Sequence, residues 1–401
     1  MDLYLQFGYG MKGHCEALLS SWNGGTVILS PRDIDPEKLS EYSRTMRNLG
    51  ARILLDPQVY LPHSEHLRLS SHRYWIADYN TVEFWSNNVF VRQLEALFEL
   101  NSDLNSESVI LPGFYAEQID DNWLRCHSQI LDAAKSISDG TSELIMTVIL
   151  SSDSARSPDQ VHYLIEEIRR WDIPYIYLIC EPPKNEYLVT DAAWMANVLD
   201  LIAGLKLQGK KIILGYSNHQ TLITACTSVD AIASGNWLNV RYFSIQKFDP
   251  SNNSESRRTT WYYCPQALSE FKLTTLDLAS MIGKLEQIRP AASLESDESR
   301  ILFSGASPTA TGFTERESFR HYLKTLKTQV NEARKDSFDE SLSHHRDILS
   351  AAESVLGGLH TDGIKDSARD FLQCIDINRN ALIYLESNLG PLLRRNWSRL
   401  A

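Results

Sequence analysis

Two acidic residues, Asp56 and Asp230, lie beside apolar runs of strand length, a placement that suits acid, base or nucleophilic work. Asp56 directly follows the apolar run Ile53-Leu54-Leu55 and opens the segment Asp56-Pro57-Gln58-Val59-Tyr60. A carboxyl at the end of a buried strand is partly desolvated, which raises its pKa and suits it to general acid or base work. The Gln58 amide and the Tyr60 ring beside it form a setting that reads a planar heterocycle through donors, acceptors and a flat face. Asp230, in Val229-Asp230-Ala231-Ile232-Ala233, is the second acid. A carboxylate facing a sugar C1 acts as a covalent nucleophile, because an oxocarbenium-like centre needs an anion beside it. For each of the two, the plain alternative is an aspartate that caps a turn.

Other residues group around these. Glu181, after the run Tyr175-Ile176-Tyr177-Leu178-Ile179-Cys180, accepts two donors from a purine-like ring or makes a salt bridge near Lys184. Gly215 permits close approach of backbone to a ligand, or simply turns the chain. Trp237 adds a stacking surface. His219 is either a general base or a hydrogen-bonded structural residue. His63, His66 and His72 have loose ligand-like spacing but neither a helical frame nor a cysteine pair, and His344-His345 falls on a helix expected to be solvated, so no metal and no cofactor is expected. Gly8-Tyr9-Gly10 lacks the Lys-Ser/Thr of a phosphate loop. Arg257-Arg258 and Arg394-Arg395-Asn396-Trp397-Ser398-Arg399 are short basic patches, either solvated surface or a local groove for tRNA or DNA.

Eight apolar runs of strand length position these residues, at 3–7, 26–29, 52–55, 109–111, 145–150, 175–180, 212–215 and 231–233. Helical segments are expected between them at 14–22, 36–48, 89–100, 116–136, 158–171, 192–207 and 220–227. Asp35-Pro36, Ser157-Pro158 and Asp191-Ala192 carry start signals. Such alternation predicts an α/β protein of the (β/α)8 TIM type, whose chemistry lies at the C-terminal ends of its strands. The interruption at 60–88, rich in His and aromatic residues, reads as a lid, and 250–256 as an exposed polar loop. The barrel is expected over 1–288, an Ala/Ser/Gly/Pro linker over 289–312 and a C-terminal helical domain over 313–401. Its helices are expected at 315–334, 338–356, 364–374 and 379–393, with Gly357-Gly358 as a stop.

At 401 residues with 43% hydrophobic and 22% charged, the chain fills a core and is neither disordered nor a solenoid. Its net charge of −12 excludes a protein whose whole surface grips nucleic acid or anionic lipid. No basic leader and no membrane-length apolar run is present, which predicts a cytoplasmic protein. The six cysteines lie far apart and never as C-x-x-C, which predicts buried, reduced thiols.

Taken in order, the strand ends resemble those of the tRNA-guanine transglycosylase-like barrels, which exchange guanine for a 7-deazaguanine base in tRNA or DNA. That family opens a D-S-G-G-F-Q motif with an Asp after strand three, where Asp56-Pro57-Gln58-Val59-Tyr60 stands here. Its G-L-A-V-G-E is matched by Leu178-Ile179-Cys180-Glu181, and its M-G-V-G by Leu214-Gly215-Tyr216-Ser217. Asp230, with Trp237 and Arg241-Tyr242 downstream, is similar to the nucleophile segment of the DNA-modifying members. The resemblance implies Asp230 as nucleophile and Asp56 as acid/base partner. It further implies base binding by Gln58, Glu181, Gly215 and Arg241, and stacking by Tyr60 and Trp237.

The chain departs from the family at two places. Only Cys264 lies where the tRNA enzymes carry a zinc site, and Pro57 and Gln58 replace the glycines after strand three. Barrels stripped in this way also accompany bacterial antiphage systems. The expectation is a transglycosylase-like pentosyltransferase acting on guanine or 7-deazaguanine in nucleic acid. The alternative is a degenerate barrel that binds a nucleobase or a modified partner protein without exchange, holding the partner on its C-terminal helices. A third reading is an unrelated lyase or hydrolase in which His219 and Asp153 matter more.

Overall fold

Short apolar runs, too short for buried helices, form the strands of one parallel sheet, separated by amphipathic segments with their own caps. The computed structural model describes residues 1–62, 66–76, 89–249 and 259–400. The strands are β1 (Asp2–Gln6), β2 (Gly25–Leu29), β3 (Ala51–Leu55), β4 (Ser108–Leu111), the two-residue β5 (Tyr115–Ala116), β6 (Glu143–Leu150), β7 (Tyr175–Cys180), β8 (Lys211–Leu214) and β9 (Ala231–Ser234). Their order in the sheet is β3-β2-β1-β9-β8-β7-β6-β4, with β5 extending the contact to β6, and every ladder is parallel. The sheet therefore curls through consecutive strands into a half-barrel. Among the described residues no ladder joins β3 to β4. One backbone bond crosses that seam, from the Tyr115 N–H to the Tyr60 carbonyl at 3.1 Å.

Strand alternation sorts the side chains. Ile28, Leu54, Ile110, Ile145, Ile149, Tyr177, Ile179, Ile213, Ala231 and Ala233 form one buried cluster on the inner face of the curl. Leu3, Leu5, Val27, Ile53, Leu55 and Leu178 point outward into the core shared with the helices. Successive residues of a strand face opposite ways. Residues two positions beyond an inward one therefore also face inward, among them Asp56 after Leu54, Ser30 after Ile28 and Glu181 after Ile179.

Helices Lys12–Trp22, Pro36–Arg47, Val89–Leu104, Asp121–Ile137, Pro158–Ile168 and Ala192–Leu207 cover the outer face. Ser157 and Asp191 cap their helices by accepting the Gln160 and Trp194 N–H groups. Asp35 does not cap: its carboxylate turns to Lys38 and Arg68. The segment at 220–227 is 3₁₀ rather than α.

The C-terminal third is built onto this sheet. Helix Ala192–Leu207 is apolar almost all round, so it needs cover on both sides. The sheet supplies one side and helix Leu372–Asn396 lies along the other, with Gln220 Nε2 donating to Asn378 Oδ1 at 3.1 Å. A hairpin of β10 (Trp261–Cys264) and β11 (Ser269–Lys272) precedes helices Glu315–Ala333 and Phe338–Thr361. Residues 289–312, expected as a linker, contain helix Asp297–Leu302, with Leu302 and Phe303 buried and Ser296 bonded to His321. Gly357-Gly358 does not stop its helix, which runs on to Thr361 because Leu356 and Leu359 bury on either side of the pair. No separate helix forms over 364–374; the last helix begins at Leu372.

All six cysteines are buried and free. Among the described residues no helix is long and apolar enough to cross a membrane. His63 and the aromatic residues Tyr79, Phe84 and Trp85 of the expected lid lie outside the described residues, as do the loop at 250–256 and Arg257-Arg258.

Because helix Leu372–Asn396 covers an apolar helix, a chain ending after Thr361 is expected to aggregate or to lose its cooperative transition in thermal unfolding. A truncated chain that stays soluble and monomeric, with a transition like the full chain's, would show that the parallel sheet and its helices fold without it.

Candidate functional site

Asp56 is fully buried at the C-terminal edge of the sheet, beneath a set of phenols. Its Oδ2 lies 2.5 Å from the Tyr60 hydroxyl, 3.3 Å from that of Tyr177 and 3.4 Å from that of Tyr216. Its Oδ1 accepts the Gln58 N–H at 3.1 Å. Burial drives the carboxyl pKa up to about 6, against the opposing pull of the Tyr60 bond, the Gln58 N–H and the other two phenols. The same burial raises the Tyr60, Tyr177 and Tyr216 hydroxyls above their ordinary range, with the Asp56 charge adding to it. The network extends outward. Gln58 Nε2 donates to the Tyr216 oxygen at 3.0 Å, and Gln58 Oε1 accepts from Ser30 Oγ at 3.1 Å and from the Arg32 N–H at 2.9 Å. The single Tyr177 hydroxyl proton is shared between Asp56 Oδ2 and Gln6 Oε1, the latter the shorter contact at 2.9 Å.

Local backbone makes this convergence possible. Gln58 and Tyr216 adopt left-handed φ of 54° and 51°, conformations that cost energy for side chains other than glycine and that cluster at constrained sites. Gly215 packs directly against the Tyr177 ring: a Cβ there would sit 2.7 Å from it. Glycine at 215 is thus what lets the Tyr177 phenol reach Asp56.

Hydrocarbon closes the top. Phe243 and Phe248 are each 1% exposed, with ring centroids 5.3 and 4.7 Å from that of Tyr60. Phe243 also lies 5.3 Å from Tyr216. Glu181, expected to accept from a base, instead accepts from the Tyr115 hydroxyl and, at 2.9 Å, from the Ile245 N–H. It fastens the segment that carries both phenylalanines.

Asp230 is at the other end. It precedes the first residue of β9 and so sits at the N-terminal edge of the parallel sheet, whereas Asp56 follows the last residue of β3. Its carboxylate holds Lys206 Nζ at 2.8 and 2.9 Å and the Ile212 N–H at 2.7 Å, and its carbonyl accepts the Asp2 N–H at 2.8 Å. The expected pairing of Asp56 with Asp230 across one cavity is therefore absent, and Asp230 is a structural clamp on the bottom edge.

The other expected residues also serve the chain. The Trp237 indole donates to the Tyr9 carbonyl at 3.0 Å and packs edge-on against Phe319. Arg241 is buried toward the C-terminal third. It donates to the Gly235 carbonyl at 2.8 Å, lies 3.5 Å over the Tyr322 ring and pairs with Glu270 at 3.5 Å. His219 is buried among Tyr187, Tyr263, Tyr322 and Phe371, and burial lowers its pKa to about 4. Asp153 is exposed in the first turn of helix Ser152–Arg156. His345 is buried against the Ala333 carbonyl and not solvated. His72 reaches the Pro31 carbonyl, and His66 caps a turn at Leu69. Arg394 is engaged by Asp339 and Glu386. Among the described residues no three His, Cys, Asp or Glu side chains gather as a metal site.

An open cleft of about 340 Å³ lies beside the closed centre, between the ends of β1 and β2. Phe7, Tyr9 and Tyr42 supply its rings, and its walls carry the four cations Lys12, Arg32, Lys38 and Arg68 to two carboxylates, Asp33 and Asp35. Tyr9 is 68% exposed at its lip. Arg32 joins cleft and centre: its N–H bonds Gln58, while its guanidinium pairs with Asp33 at 3.2 Å and lies 4.7 Å over Phe248. Tyr177, Tyr216, Phe243, Phe248 and this cleft went unrecognised in the sequence. Strand alternation alone places Tyr177 inward with Ile179.

No protein-family model and no curated protein matches the sequence. A solved structure with some likeness to the chain is the 3-dehydroquinate dehydratase from Aquifex aeolicus VF5, with a TM-score of 0.32 and 9% identity over 61% of this chain and 91% of that one. A likeness of that size carries no argument about fold detail or activity.

The raised pKa of Asp56 has a fixed sign in stability. The folded chain keeps the proton up to about pH 6, while the unfolded chain loses it near 3.8. The contribution is full below about pH 3.8 and lost as pH rises through about 6. The stability of wild type minus Asp56→Asn, from urea unfolding, is expected to fall by about 2 kcal/mol between pH 4 and 7, most of a pKa rise of about two at about 1.4 kcal/mol each. A difference that stays flat over this range contradicts the buried, proton-retaining carboxyl.

Proposed function

We propose that this chain is a (β/α)8-type barrel of transglycosylase-like descent that binds a nucleobase-bearing anion and does not exchange the base. The consecutive order of neighbouring strands and the Tyr115–Tyr60 bond across the open seam support the barrel reading. The observation that carries the functional reading is the separation of Asp56 and Asp230 to opposite edges of the sheet. Base exchange needs a nucleophile and an acid on one substrate, at carboxyl separations of about 5–10 Å by the glycosidase comparison. Here one acid is satisfied by three phenols and the other by a lysine.

Binding has a different seat, the cleft at the ends of β1 and β2. An exposed Tyr9 ring stacks a base, since base–aromatic stacking is worth about 1–3 kcal/mol. Lys12, Arg32, Lys38 and Arg68 line the cleft, paired with Glu41, Asp33 and, for the last two, Asp35, and a phosphate would take the place of these carboxylates. The ligand class is a nucleoside monophosphate or the end of a nucleic-acid strand.

Two measurements on the full chain test this. Incubation with labelled guanine and mixed tRNA and DNA is expected to give no incorporation, and Asp230→Asn is expected to lower the unfolding midpoint by leaving Lys206 buried and unpaired. Guanosine monophosphate is expected to bind by calorimetry, about ten-fold more weakly to Tyr9→Ala, within that stacking range. Incorporation that Asp56→Asn or Asp230→Asn abolishes would overturn the non-exchanging reading. Binding unaffected by Tyr9→Ala would overturn the seat.

A further inference from the structure

The phenols around Asp56 are more than support for the sheet requires, since hydrocarbon of the same shape commonly fills a buried site as stably as a polar network does. Three hydroxyls, of Tyr60, Tyr177 and Tyr216, instead lie 2.5, 3.3 and 3.4 Å from the one oxygen Asp56 Oδ2, and the Tyr60 and Tyr216 oxygens are 3.2 Å apart. Asp56, Tyr60 and Tyr177 are at most 1% exposed, and Phe243 and Phe248 cover Tyr60. What a covered phenol still exchanges with the outside is an electron, which tunnels through packed protein where a molecule does not pass. One-electron oxidation makes a phenol strongly acidic, so the step needs a base already in place for the proton. Asp56 Oδ2 is placed as that base for Tyr60. A second pair of the same kind lies nearer the surface. The half-buried Tyr115 donates its hydroxyl to Glu181, and its backbone N–H bonds the Tyr60 carbonyl at 3.1 Å.

We propose that Tyr60 is a redox-active tyrosine, oxidised through Tyr115 by a one-electron oxidant at the protein surface, with Asp56 as the proton acceptor. The electron leaves the Tyr60 ring and reduces the oxidant by one. The hydroxyl proton moves along the existing hydrogen bond to Asp56 Oδ2. The products are a neutral tyrosyl radical and a neutral carboxylic acid, so the step removes a buried charge instead of creating one. An electron from a one-electron reductant returns the proton to Tyr60 and restores both groups. The Tyr216 hydroxyl is within hydrogen-bond reach of the radical oxygen, and the rings of Phe243 and Phe248 shield it from coupling to a second phenol. Neither the cleft nor a nucleotide takes part.

The test oxidises the full chain with photogenerated ruthenium(III) tris-bipyridine and follows it by electron paramagnetic resonance. Wild type at pH 7 is expected to give a neutral tyrosyl signal that outlives that of free tyrosine under the same conditions. Tyr60→Phe, which keeps the ring and its packing, is expected to lose the long-lived signal. Asp56→Asn, which keeps the shape but takes no proton, is expected to lose it too. Tyr115→Phe is expected to slow its formation without removing it. In wild type the yield is expected to fall about ten-fold from pH 7 to pH 5, as the ionised fraction of a carboxyl with a pKa of about 6 does. No long-lived tyrosyl signal in wild type, or one that persists in Tyr60→Phe, overturns the proposal. A yield that stays level from pH 7 to pH 5 in wild type overturns Asp56 as the acceptor, whether or not Asp56→Asn folds. An unchanged rate of formation in Tyr115→Phe overturns the route through Tyr115.

Discussion

A carboxyl group cannot be carried into the interior of a protein without either partners or a proton, and Asp56 is held by both requirements. Strand alternation turns it inward two positions past Leu54, and the phenols of Tyr60, Tyr177 and Tyr216 come from three different stretches of chain to meet it. Each of those phenols imposes a condition of its own. Tyr177 needs a glycine at 215, Tyr216 and Gln58 need left-handed backbone, and Tyr60 needs Phe243 and Phe248 packed on its ring. The closing segment in turn is fastened by Glu181. The polar centre thus organises the C-terminal end of the sheet.

The two edges of the sheet divide labour. At the bottom, Asp230 ties the start of β9 to helix Ala192–Leu207 through Lys206 and to β8 through the Ile212 N–H. At the top, polar groups are closed in, and the open cleft bounded by Tyr9 lies beside them. Arg32 touches both regions. Its buried guanidinium has Asp33 for a partner and the Phe248 ring for a floor, so cleft and mouth cannot change independently.

The strands were legible because each holds a short apolar run, and all eight expected runs lie within a residue or two of a strand. Asp56 was legible as an inward residue for the same reason. Its partners were not, because Tyr177 and Tyr216 sit 121 and 160 positions away and only the curl of the sheet brings them near. The error at Asp230 has a simple physical origin. It was read by its company of Trp237 and Arg241, although one residue before a strand is the N-terminal edge. Gly357-Gly358 misled in another way, since a glycine costs a helix only about 1 kcal/mol and burial of Leu356 and Leu359 outweighs it. The C-terminal helices looked like a separate unit because periodicity reports one apolar face and not what that face covers.

The most direct test of the account is the ionisation of Asp56 itself, read as the pH-dependent carboxyl band in the infrared difference between wild type and Asp56→Asn. The closed centre predicts a midpoint near pH 6 that saturating guanine does not move. A midpoint near 4, or one displaced by guanine, would mean that water or a base reaches this carboxyl, and would contradict the sealed, non-exchanging site.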